Sequence, residues 1–63
     1  MNILRNLELL EESINFFFNL RDGLDKTDKD YEEYWSQYSN AILQFKAERQ
    51  RVLVKYQLIA NDL

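Results

Sequence analysis

Glu8, Glu11 and Glu12 crowd into two turns of a periodic apolar segment, and Ser13, Thr27, Ser36 and Ser39 supply aliphatic hydroxyls. Paired carboxylates can act as general acid and base, but only where burial or a neighbouring charge drives their pKa values apart. Two exposed turns of one helix offer no such desolvated cleft. The chain has no His and no Cys, so the usual general base and the readiest nucleophile are missing, and no hydroxyl has an obvious base beside it. These residues predict a non-catalytic protein with a solvated acidic face.

Metal chemistry fares no better. In "DKTDKDYEE", Asp28, Asp30 and Glu32 take the first, third and fifth positions of a calcium loop. The sixth is Glu33, where the sharp turn needs Gly. With no His and no Cys to ligate zinc, no cofactor or metal is expected. The one concentration of positive charge is "KAERQR" with its neighbour: Lys46, Arg49, Arg51 and Lys55. It could lie across phosphates, with Tyr56 available to stack on a base. The favoured alternative is pairing within the fold, with Glu8, Glu11 and Glu12 opposite residues 41–48 and Lys46 or Arg49 as their partners. A net charge of −3 also disfavours nucleic acid and anionic membrane as main partners.

The elements that carry these residues follow from spacing. There is no Pro and only one Gly, so nothing but Gly23 interrupts a helix. Ile3, Leu7, Leu10, Ile14, Phe17, Arg21 and Leu24 step by threes and fours, the seam of a helix over about 3–22. Asn2 suits its N-cap, and Gly23 suits a left-handed C-terminal position with Leu24 folding back on Phe18. Thr27 and Asp30 have the spacing of a capping box, which places the second helix at about 28–61 after a loop at 23–27. Its seam runs through Tyr31, Trp35, Tyr38, Ile42, Phe45, Arg49, Val52, Tyr56, Ile59 and Leu63. Val52, Val54, Tyr56, Leu58 and Ala60 also alternate as in a strand, but no Gly, Pro or Asn precedes Val52 to end the helix.

Two helices on a short connection make an antiparallel hairpin, so the expected fold is all-α, one domain over residues 1–63. At about 1.5 Å per residue the first helix reaches only to about residue 50 of the second, which leaves "VLVKYQLIA" as an uncovered overhang. Phe16, Phe17 and Phe18 point about 100° apart, so one interface cannot bury all three. The expected docking surface is Leu9, Phe16 and Leu20 on one helix, with Val52, Val54, Tyr56, Leu58 and Ile59 on the other.

So short a chain buries only about 60% of its unfolded surface, and without Cys it has no disulfide to add support. The expected support is a second copy, giving a dimeric four-helix bundle, or another protein bound as by an adaptor or inhibitor. Charges interrupt every apolar run before it could span a membrane, and the acidic residues of "MNILRNLELLEE" do not read as a signal peptide. The expected location is the cytoplasm. Arg21 and Arg49 break their seams once each, either to set register or with their stems packed and their charges in water.

Two families share this architecture. A plasmid copy-control RNA-binding hairpin dimer is similar in length, with near-equal helices and no residue motif in common. In "WSQYSNAI", the spacing of Trp35, Ser39, Ala41 and Ile42 resembles the second helix of the small co-chaperones of type III secretion needle subunits. Over those eight residues the resemblance implies an alternative function, a hairpin co-chaperone of a secretion apparatus subunit.

Overall fold

A computed structural model describes the backbone of residues 2–61 and the side chains as far as Leu58. Helix α1 spans Ile3–Asp22 and helix α2 spans Tyr31–Asn61, packed side by side as an antiparallel hairpin about 54 Å long. The longer second helix is as the spacing predicts. Ile59 and Leu63, the last members of its expected seam, lie outside the described side chains.

Helix α1 begins where Asn2 Oδ1 accepts the backbone N–H groups of Leu4 (3.0 Å) and Arg5 (3.4 Å), satisfying two donors that the first turn leaves open. Its end differs from expectation. Gly23 has φ −82° and ψ −2°, not the left-handed conformation, and no described residue has positive φ. The Gly23 N–H reaches the Asn19 carbonyl at 3.0 Å and the Leu24 N–H reaches that of Arg21 at 3.2 Å. The helix thus closes by tightening its last turn, which needs no glycine.

Thr27 is not the cap of α2. Its N–H and hydroxyl both donate to Asp25 Oδ1, at 2.9 and 2.7 Å, and Asp28 Oδ1 accepts the Asp30 N–H at 2.8 Å. Each aspartate folds the chain back on itself two residues on, a local bond that competes with helix formation. The Asp28 N–H donates to the Asp25 carbonyl and the Tyr31 N–H to that of Asp28, so two successive turns occupy the segment. Only then does the Asp30 carbonyl accept the Tyr34 N–H and start α2, three residues later than the capping-box spacing predicts.

The core is thin. Ile14 and Ile42 are buried, each 3% exposed, one from each helix. Beside them Phe17 stacks on Phe45 with centroids 5.7 Å apart and leans on Tyr38 at 6.1 Å. Half-buried seam residues, among them Leu7, Leu10 and Val52, flank this layer, whereas Tyr56, also expected in the seam, is 42% exposed. Trp35, expected in the seam, is 44% exposed because it lies at the edge of the interface with an arginine over its ring.

The longer connection moves the register. Arg21 meets Ser39 and Arg49 meets Glu11, and in both pairs the numbers add to 60. Ile3 therefore comes level with about Gln57, not residue 50. Moving the centre of the pairing from about residue 26 to 30 displaces the far end by about twice as much. The overhang "VLVKYQLIA" is corrected accordingly: α1 runs alongside most of it.

Candidate docking surface

What α1 leaves uncovered is a set of stripes, not a tail. On α1, Leu9, Phe16 and Leu20 are exposed, Phe16 at 58% and in a T-shaped contact with Phe17 at 5.3 Å. Ser13, between Leu9 and Phe16, donates its hydroxyl to the Leu9 carbonyl at 2.9 Å. On α2, Leu43 (64%), Val54 (45%) and Leu58 (61%) are exposed, with Tyr56 on a neighbouring row. Val52, expected at the docking surface, is instead half-buried where it meets Asn6, Leu9, Leu10 and Glu48. Spacing showed Phe16 and Val54 as flank residues. Leu43 falls on the same row of α2 as Val54 and Leu58.

The two stripes open on opposite faces of the hairpin. Phe18 and Leu9 are nine residues apart, two and a half turns, and so leave α1 in opposite directions. Phe18 lines a groove with Arg21, Trp35, Ser39, Leu43 and Lys46. Leu9 lines the other, with Leu10, Glu48 and Val52. The Leu43 stripe of α2 borders the first groove and the Leu9 stripe of α1 borders the second.

The charged residues fall into pairs. Arg49 Nη1 is bonded to Glu11 Oε1 across the two helices. Arg51 binds Glu48 on its own helix at 2.6 Å, and Arg5 binds Glu8 at 3.0 Å. Lys46, the expected partner of an α1 carboxylate, instead places its Nζ 5.3 Å from the Phe18 centroid. Of the basic cluster Lys46 and Lys55 have no charged partner among the described residues.

Arg21 closes the first groove. Its guanidinium carbon stands 4.7 Å from the Phe18 centroid and 5.2 Å from that of Trp35, and its Nη1 donates to Ser39 Oγ at 2.9 Å. Both seam arginines thus hold specific partners on the opposite helix: Ser39 and Trp35 for Arg21, Glu11 for Arg49. Among the described residues, no group of three acidic side chains converges to hold a metal, and neither helix is long and apolar enough to cross a membrane. The Asp25 carboxyl is exposed, and the Thr27 N–H, and then the Thr27 hydroxyl, lower its pKa. It faces no cleft.

Compared with protein-family models, curated proteins and solved structures, the chain finds no match.

Proposed function

We propose that this hairpin is a small, non-catalytic, cytoplasmic protein–protein interaction module that docks through its exposed apolar stripes. One observation carries the reading: large apolar side chains on both helices stand in water at helical spacing, Leu9–Phe16–Leu20 and Leu43–Val54–Leu58. Contiguous apolar surface of this kind marks interaction sites, and covering it adds stability to a hairpin in which Ile14 and Ile42 are the buried core among the described residues. The engagement of Lys46, Arg49 and Arg51 with Phe18, Glu11 and Glu48 supports protein over nucleic acid as partner.

The test is capture from an extract of the native host with the wild type, Phe16→Lys and Val54→Glu as baits. Both substitutions are at exposed positions and should leave helicity intact. Proteins retained by the wild type should be lost by at least one variant. An identical retained set in all three would mean the stripes dock nothing. RNA or DNA binding that weakens steeply between two salt concentrations would favour the basic cluster instead.

A further inference from the structure

We infer that the partner of each stripe is the other stripe on a second copy of the chain. The acidic α1 face of one molecule packs on the basic α2 face of the next. This deepens the docking reading of the same surfaces and rests on it.

Charge supports that pairing. Helix α1 carries Glu8, Glu11, Glu12 and Asp22 against Arg5 and Arg21, while α2 from Leu43 to Leu58 carries Lys46, Arg49, Arg51 and Lys55 against Glu48. Arg5 with Glu8 and Glu48 with Arg51 neutralise one another locally. That leaves Glu12 one turn before Phe16 and Lys55 one turn before Leu58, each beside its stripe. Lys55 and Arg51 border the same open apolar patch as Val54 and Ala47.

A symmetric contact between two α1 stripes would gather Glu12 from both copies, and one between two α2 stripes would gather Lys55 from both copies. Like charges across an interface are costly, whereas unlike charges steer and align it. The apolar spacing also matches. Leu9, Phe16 and Leu20 are separated by seven and four residues, as are Ala47, Val54 and Leu58. Two helices presenting the same spacing can bring their apolar residues into one layer series.

Geometry then decides the kind of assembly. The two stripes lie on opposite faces of one molecule, so a contact between them does not close at two copies. Such a heterologous contact adds a third copy as readily as a second, ending in a ring or an open row. There is room for it. A standard interface takes about 800 Å² from each partner, roughly a sixth of the 5167 Å² the hairpin exposes.

Mixing two stripe variants of the purified full chain tests the inference. The wild type should show a sedimentation mass that rises with concentration beyond two chains. Phe16→Lys sets a positive charge against the basic stripe, and Val54→Glu sets a negative charge against the acidic one. Each alone should sediment as a monomer of 7.7 kDa with wild-type helicity. An equimolar mixture should form a pair and stop there, because each variant retains the stripe that the other needs. Three results would overturn the inference. They are a wild type that stays monomeric at all concentrations, either variant self-associating like the wild type, or a mixture that stays monomeric. A monomeric wild type that still captures a host protein through Phe16 or Val54 would leave the docking reading intact and remove only the second copy.

Discussion

Arg21 of α1 donates to the hydroxyl of Ser39 on α2 at 2.9 Å while its guanidinium carbon stands over the rings of Phe18 (4.7 Å) and Trp35 (5.2 Å). A cation in the middle of an apolar series thereby makes four groups of two helices agree on one register. Ten residues further along each helix the Arg49–Glu11 pair holds the same register. Between these two bridges lie Ile14, Phe17, Ile42 and Phe45.

Arg21→Lys should therefore not be conservative. Lysine keeps the charge but loses the planar fork that stacks on rings while it donates. The expected loss is about 0.5–1.5 kcal/mol, and the coupling between Arg21 and Ser39 should appear in a double-mutant cycle with Ser39→Ala. A lysine variant that melts with the wild type would show that stacking contributes nothing.

Ile14→Ala and Phe45→Ala remove side chains from the layer that holds the buried Ile14 and Ile42 and the Phe17–Phe45 stack. Each should cost about 2–5 kcal/mol, much of the stability available to a chain this short. In a domain of this size about 1 kcal/mol corresponds to 4–8 °C in melting temperature. Loss of the circular dichroism melt at moderate temperature is expected for both. Leu43→Ala, at an exposed position, should stay within about 0.5 kcal/mol of the wild type under dilute conditions.

Gly23→Ala should be neutral or stabilising. The backbone there has φ −82°, and a methyl group would stand 3.4 Å from the Asn19 carbonyl oxygen, an ordinary contact. Alanine restricts the unfolded chain more than glycine does, an effect of about 0.4–1 kcal/mol where the native conformation suits it. A marked drop in melting temperature would mean that α1 ends in a left-handed turn after all.

Asp25 should titrate below the ordinary aspartate value, because the Thr27 N–H, and then the Thr27 hydroxyl, donate to its carboxylate in the fold. A depressed folded pKa means that the bonds stabilise the connection above the ordinary value, and that this is lost as the pH falls through the lowered one, below about pH 4. Carboxyl chemical shifts against pH read the midpoint directly. Thr27→Val removes only the hydroxyl, so it should raise the midpoint part of the way. A wild-type midpoint at the ordinary value would mean that the turn does not form as described.

Much of the architecture was legible because it is periodic. Apolar residues at threes and fours from Ile3 and from Tyr31, with no proline and one glycine, can bury a continuous face only as helices packed along one another. Phe16 on the flank was equally legible, since three consecutive phenylalanines cannot share one interface. Asn2 as a cap follows from side-chain chemistry within three residues of itself.

The register was not legible, and it decides which surface is left open. Whether Thr27 caps α2 or closes a turn onto Asp25 depends on a competition between local bonds of similar strength. The two aspartate turns shift the hairpin's midpoint by about four residues. That shift covers the inner face of a segment that spacing alone would leave bare. It also directs Arg49 to Glu11 and leaves Lys46 over Phe18. Periodicity determined which residues share a row on each helix. Which rows meet, and on which side of the hairpin the remaining ones emerge, was decided by the tertiary structure, because antiparallel packing couples every contact to the length of a single turn.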